Sequence, residues 1–456
     1  MIKKILLLLF LAAFVNSLLS QTLKDTGRVE DVVVTGTKTE TSRQLIPLSV
    51  SVLTKENIEK SGEINILPLL NYYVPGIFVT QRNILGFGVS TGGSGSISVR
   101  GVGGSPNTNV LVLIDGHPQY QGIFGHPLPD AYMISDIEKV EIIKGPASIL
   151  YGSNAMGGVI NIITKQTQND LINANLGASY GSFNTQKYNG SVALKIKKIS
   201  FIASANHDKT DGIRPNTDFR ISNGFLKANY QINKHFDITA DYNLTKYIAN
   251  DNGHIDNPAP FKTDILRGKT SISLENKFDK FQGALKFYHN YGVHKLSDGW
   301  ESKDRNSGIM LYQILKLIPN NNFTIGADIK QFGGIGNKGV AQNQFKTVNE
   351  MAVYTYIQQS FFKKLTLSAG LRLENNSMFG NELIPLTGLT FKPTNTTTLK
   401  AIVSEGFRSP TIMELYLYAP NEQLKPEKVI NYELGIIQTF FDNRLNLELS
   451  VYELKA

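Results

Sequence analysis

From Gln166 onward, apolar and polar positions alternate with a period of two. Phe236, Ile238, Ala240, Tyr242 and Leu244 are interleaved with Asp237, Thr239, Asp241, Asn243 and Thr245. Leu365, Leu367, Ala369, Leu371 and Leu373 run against Thr366, Ser368, Arg372 and Glu374, and Leu445, Leu447, Leu449 and Val451 against Asn446, Glu448 and Ser450. Segments of ~10 residues with one apolar and one charged face predict strands that meet lipid outside and a wet lumen inside. A soluble sandwich also alternates, but with shorter strands and its apolar face inward. The pattern predicts about fifteen strands. Their connections alternate between tight turns, at Lys197-Lys198, Asn233-Lys234, Asp279-Lys280, Lys363-Lys364 and Asp442-Asn443, and long polar links, at 211–218, 249–263, 297–308, 336–347 and 409–428.

The part before Gln166 is patterned differently. Ser49–Leu53 predicts a strand, Thr54 an N-cap with Glu56 in the first turn, and a short helix to Glu59. A second helix is expected over 65–72, stopping before Pro75-Gly76. The stretch 82–96 is a glycine-rich loop, and His117 to Asp130 is a second loop carrying Tyr120, Phe124 and His126. The run 137–165 predicts a strand, a break at Gly145-Pro146, a helical turn over 147–151, a corner of small residues and a buried strand over 159–163. Arg100-Gly101-Val102-Gly103-Gly104 is read as a turn: no Gly-Lys-Thr follows it and no parallel βαβ unit frames a dinucleotide site.

Lys3 and Lys4 followed by the apolar run from Ile5 to Val15 predict a cleaved secretory leader over 1–20, too short to cross a bilayer as a helix. No later apolar run reaches ~18 residues, so a membrane would be met as a barrel. Removing Lys3 and Lys4 takes the formal charge from +8 to +6. The Lys and Arg form no basic helix or stripe, which argues against nucleic acid and for contact with anionic lipid head groups. Cysteine is absent and the seven His lack ligand spacing, so no catalytic triad, metal or cofactor site is expected, and the chain is not read as an enzyme.

Ile137 to Lys165 resembles the end of the plug domain of TonB-dependent outer-membrane receptors. Ser98-Val99-Arg100-Gly101 and Val110–Ile114 with Asp115-Gly116 are similar to two further plug motifs. Gly406-Phe407-Arg408-Ser409-Pro410, Glu414-Leu415-Tyr416, Leu424-Lys425-Pro426-Glu427 and Tyr432-Glu433-Leu434-Gly435 look like the barrel signature. The resemblance implies an outer-membrane, monomeric, antiparallel β-barrel filled by a small α+β plug at 41–165, a flexible segment at 21–40, and the barrel at 171–456. Tight turns then face the periplasm and long links the exterior. Glu30, Asp31, Val32, Val33, Val34, Thr35 and Gly36 resemble the TonB box, which an energy-transducing TonB-type protein grips by strand addition.

By motif, Arg100 and Lys144 in the plug are expected to meet Glu414 and Glu427 of the barrel in one buried charge latch. Lys144 stands where an arginine is usual and cannot form a bidentate fork. Arg82, Tyr120, Phe124 and His126 are expected to contact the solute. The implied activity is energy-coupled uptake of a scarce small molecule, most of all a ferric siderophore, with cobalamin second. Haem is less favoured, because 408–427 contains no His. A surface adhesin, a phage or toxin receptor, and a non-functional remnant are the alternatives. Asp251, His254 and Asp256 are read as a solvated polar loop, with cation binding as the alternative. An even strand number near 22 and an aromatic last residue are expected of this class, so the chain is read as a fragment or the product of a broken gene.

Overall fold

The computed structural model describes residues 33–34, 38, 41–81, 85–86, 95–104, 107–167, 172–338, 342–362, 364–417, 419–442 and 444–456. The predicted leader, Arg82, Lys363, Asn443, and Glu30, Asp31, Val32, Thr35 and Gly36 of the expected box lie outside these residues.

Among the described residues ten short strands, three α-helices and three 3-10 turns make the plug. β1 (Val33–Val34) pairs antiparallel with β2 (Thr41–Ser42). β3 (Ser49–Leu53) leads into α1 (Lys55–Glu59), where Thr54 and Asn57 close a reciprocal capping box. α2 (Leu67–Tyr73) carries Pro68 in its first turn and buries Leu67, Leu69 and Leu70. β4 (Ile77–Val79), β5 (Ile97–Val99) and β6 (Val102–Gly103) form a small antiparallel sheet. The main plug sheet adds β7 (Val110–Ile114), β8 (His117–Pro118), β9 (Ile137–Lys144) and β10 (Gly158–Thr164), in the order β3-β9-β10-β7-β8. Only β10–β7 is parallel there. β10 is central and nearly all buried, which is why its sequence is apolar on both faces. Between β9 and β10 sits α3 (Ser148–Tyr151), the predicted helical turn.

The wall is one antiparallel sheet of fifteen strands, β11 (Ile172–Gly181) to β25 (Leu445–Lys455), each hydrogen-bonded to its neighbour in sequence. Among the described residues β11 and β25 are its edges, so the barrel is open. In β21 (Leu365–Asn376), Leu367, Leu371 and Leu373 are 44–47% exposed on the outside while Thr366, Ser368, Arg372 and Glu374 are 0–2% exposed inside. Polar-in and apolar-out is the inverse of a soluble core, and it follows from a lumen filled with protein and water.

Two expected long links prove to be mostly strand. β15 (Phe236–His254) and β16 (Asn257–Lys277) stay paired to His254↔Asn257, far longer than the ~10 residues a crossing needs. After a turn at 297–300, β18 (Glu301–Leu315) begins at once. The ladder simply continues beyond the lipid band, where polar side chains are tolerated on both faces. Apolar plug and wall residues share one core: Leu113, Tyr120, Ile149, Leu150 and Tyr151 pack with Trp300, Phe332, Tyr354, Leu386 and Ile412.

Candidate functional site

Arg100 occupies the tip of the β5–β6 hairpin. Val99 pairs with Val102, so Arg100 and Gly101 are the two turn residues, with φ of 54° and 80°. Positive φ at both is the type I′ turn that suits strand twist, unusual for arginine and easy for glycine. The turn aims the guanidinium at β24 (Glu427–Phe440). There Nη1 and Nη2 each donate to one carboxylate oxygen of Glu433 at 2.8 Å, and the ring of Tyr452 lies 4.2 Å from the guanidinium carbon. Both partners are 4% exposed. A desolvated, bidentate pair of this kind is mutually dependent: removing one member strands the other charge.

Glu414 and Glu427 do not join Arg100. They clasp Arg408 of the wall, which donates to Glu414 at 2.8 and 3.1 Å and to Glu427 at 3.0 and 2.8 Å. Against the upward push of burial, Arg408 and the Thr411 donors hold the Glu414 carboxyl below the usual carboxylate range. The cluster expected as one is therefore two. The physical reason is reach: Arg408 closes the strand β23 (Thr397–Arg408) directly opposite Glu427, whereas Arg100 is nearer the middle of β24. Glu433 and Arg408 were both inside motifs singled out in the sequence. Spacing alone does not say which carboxylate a buried arginine meets.

Lys144 precedes the Gly145-Pro146 turn and makes no ion pair within 4 Å among the described residues. Burial lowers its pKa, Glu448 opposes this, and Arg100 and Arg43 add to it. Nearby, Arg43 pairs with Glu448 of β25 at 2.9 Å.

The two motif blocks meet in space. Phe407 N–H donates to Ser148 Oγ at 3.2 Å, Ser409 N–H to Ser153 Oγ at 2.9 Å, and Arg408 Nη1 to Thr108 Oγ1 at 3.2 Å. A Cβ on Gly406 would stand 2.8 Å from Pro146 Cβ and 2.9 Å from Met156 Cα, so plug and wall backbones touch there. Gly152, at φ 78°, sits over a buried wall network in which Arg372 pairs with Asp328 at 2.9 Å and Glu374 at 2.7 Å, and Lys330 with Glu350 at 2.8 Å. A Cβ there would lie 2.7 Å from Glu374 Oε2. The small-residue corner exists to allow this approach.

Tyr120 is buried between plug and wall, and Phe124 and His126 are half-buried beside it. Tyr120 is edge-on to Phe332 at 5.5 Å, and Phe124 lies between Trp300 and His126 at 5.6 and 5.7 Å. Enclosure by protein, with Arg267 nearby and Asp304 in opposition, holds the His126 ring to about 4. The turn at 297–300 and α4 (Ile412–Tyr416) cover them; Met413 N–H donates to Ile123 O at 3.0 Å. At the other end of the lumen, Thr41 and Leu45 lie beside the tight turns, against Lys316 to Asn322 and Lys392, so the chain enters the plug from that end. Among the described residues no cluster of three or more His, Asp or Glu is disposed to hold a metal.

Two family profiles match the chain: "TonB-dependent Receptor Plug Domain" over residues 42–159 and "TonB dependent receptor-like, beta-barrel" over 161–456. A curated relative, the vitamin B12 transporter BtuB of Vibrio vulnificus (strain YJ016), is 26% identical over 430 residues, covering 89% of this chain and 67% of that protein. Among solved structures, P. aeruginosa FpvA bound to heterologous pyoverdines superposes with a TM-score of 0.78 at 15% identity, over 94% of this chain and 66% of that one. The alcaligin receptor FauA of Bordetella pertussis gives 0.73 at 17% identity, over 95% and 75%. These likenesses at low identity carry the fold. The chain spans about two thirds of the length of the vitamin B12 transporter and of FpvA.

Proposed function

The chain belongs to the TonB-dependent receptor family, a family of the outer membrane, and from that premise we propose that it takes part in energy-coupled uptake of a scarce small solute, a ferric siderophore first and cobalamin second. The observation that carries this reading is the seam between plug and wall. It is locked at a few buried ion pairs, Arg100–Glu433 above all, and otherwise held by contacts that a pull on the plug can break in sequence. A permanently sealed structural domain has no need of desolvated charge pairs, which cost as much to bury as they return. A passive pore has no need of a plug.

In this reading the solute binds above the plug, among the long-link ends, with Arg82 as one of its contacts. Tyr120, Phe124 and His126 then stand beneath the bound solute and register it through packing. The segment Glu30 to Gly36 is offered at the tight-turn end, where the chain enters the plug, and a TonB-type protein grips it as an added strand. β1 and β2 already pair Val33 with Ser42 and Val34 with Thr41, so the partner's strand displaces an internal one. Force on that segment pulls at Arg43–Glu448 before it reaches Arg100–Glu433, and the seam opens from its lower end. No covalent bond is made or broken.

The sequence likeness to a vitamin B12 transporter supports cobalamin as the second reading. The test is uptake by iron-starved cells carrying the chain, with labelled ferric siderophores and labelled cyanocobalamin supplied in parallel. The account expects accumulation of one of these that stops when the protonmotive force is collapsed. Accumulation indifferent to the protonmotive force, or none of any solute, would refute it.

A further inference from the structure

Plug and wall part over one stretch at the tight-turn end, leaving a cavity of about 1280 Å³. Among the described residues nine lysines, five carboxylates and no arginine line it, so its field is positive. Several of these charges are already committed. Lys227 donates to Asp115 at 3.2 Å and to Thr164 at 2.6 Å. Others retain capacity. Lys286 Nζ donates to the Asp115 carbonyl at 3.1 Å and stands 3.7 Å from Glu275, outside hydrogen-bond range. Lys38 lies 4.2 Å over the Tyr151 ring, with no carboxylate in ion-pair range among the described residues.

A second feature is independent of the lysines. His117, 1% exposed, lines the same cavity. Its Nδ1 lies 3.0 Å from the Ile114 carbonyl, which requires the proton on Nδ1 and leaves a lone pair on Nε2. That Nε2 is buried and has no partner among the described residues. Burial, with Lys286 and Lys269 nearby and Asp241 and Asp115 in opposition, holds the ring to about 3, so it is a neutral acceptor at every physiological pH. A bare anion satisfies the lysines but leaves Nε2 unpaired. A ligand that carries both negative oxygens and an O–H satisfies all of them.

We propose that this cavity is a binding chamber for a hydroxylated polyanion of carboxylate or phosphate chemistry, with Lys38 and Lys286 on its charged oxygens and His117 Nε2 accepting its O–H. Two sources share that chemistry: the imported solute on its way out, and a soluble polyanion entering from the tight-turn side. Binding in the chamber does not depend on the transport reading, so the two can fail separately.

The probe is citrate, compared with tricarballylate, the same tricarboxylate without the hydroxyl, titrated calorimetrically into the full chain in detergent micelles. A neutral hydrogen bond to an otherwise unpaired acceptor gives citrate an advantage of about tenfold. His117→Phe abolishes that advantage, and Lys286→Gln weakens both ligands by about tenfold or more. The wild-type comparison needs no variant, so poor folding of His117→Phe leaves the test intact. Absence of citrate binding, equal affinity for the two ligands in the wild type, or binding unmoved by Lys286→Gln overturns the proposal. Whole-cell uptake by Lys286→Gln then assigns the source: slowed uptake with unchanged surface binding marks the solute, and unchanged uptake marks a soluble polyanion.

Discussion

Arg100 and Glu433 hold each other in a place where neither is stable alone. Arg100→Ala leaves Glu433 buried and uncompensated, a loss of ~3–5 kcal/mol, and plug release measured as protease access in rising urea is expected at a markedly lower midpoint. Arg100→Lys keeps the charge but not the fork and falls between the two. If Arg100→Ala and wild type release the plug together, the pair is not a latch. Lys38 offers a second residue-level test. It is enclosed by burial, with Lys286, Arg372 and Lys330 pushing the same way and Asp328 opposing, and its pKa falls to about 7. The folded chain thus holds that proton less tightly than the unfolded one, so stability rises as pH climbs from about 7 towards 10. Amine labelling of Lys38, followed by mass spectrometry, is expected to show a midpoint near 7 while surface lysines such as Lys60 label only at higher pH. A midpoint above 9 contradicts this environment. At this scale the sequence was only partly legible. Arg100, Glu414 and Glu427 were marked as charged residues within motifs, but their grouping depends on which strand each one ends or bisects, a property of register that spacing does not encode.

At the scale of elements, period-two alternation was enough to find the wall, because each strand must put lipid-compatible side chains on one face only. It failed where the constraint lapses. Beyond the lipid band of β15 and β16 both faces are polar, so paired strand there reads as loop. In the plug, caps and breakers marked α1, α2 and the Gly145-Pro146 turn, since these are local chemistry. The contact between Gly406 and Pro146 is not local, and no residue pattern announces it. Gly406→Ala places a Cβ against Pro146 and Met156, with backbone on one side and a rigid ring on the other. Overpacking of this kind costs about 1–3 kcal/mol, and it is expected to loosen the seam without altering the wall. Hydrogen exchange should quicken at 146–156 and stay unchanged in β15 and β16. Equal protection throughout would mean that the two backbones do not meet there.

For the whole molecule, plug and wall are joined by a shared apolar cluster beside the plug's own core, and inward charges of the wall pair with one another, as Arg372 with Asp328, or with the plug, as Lys227 with Asp115. The fold class was legible from the barrel pattern and the plug motifs together, and the family profiles cover both. What no local pattern could give is the asymmetry of the lumen. The plug is stitched to β19 (Asn321–Gly336) through β25 by Gly152, Arg100 and Arg43, and to the earlier strands by Ser204 on Asp136, Asn290 on the Pro118 carbonyl and Gly122 N–H on Asp304, but parts from those earlier strands over the lysine-lined cavity at the tight-turn end. A plug pulled from the tight-turn end should therefore swing towards the cavity. Spin labels on Lys165 and Asn229, across that cavity, are expected to approach when force is applied or the Arg100–Glu433 pair is removed; a fixed distance rules out this motion.

The central claim is that a partner outside the barrel takes hold of the segment Glu30 to Gly36. The most direct measurement is binding of the periplasmic part of a TonB-type protein to the full chain, set beside the same chain lacking residues 30–36. The account predicts measurable affinity for the first and none for the second, with Val33→Pro, which removes a strand donor, close to the deletion. Equal binding by both chains, or by neither, contradicts it.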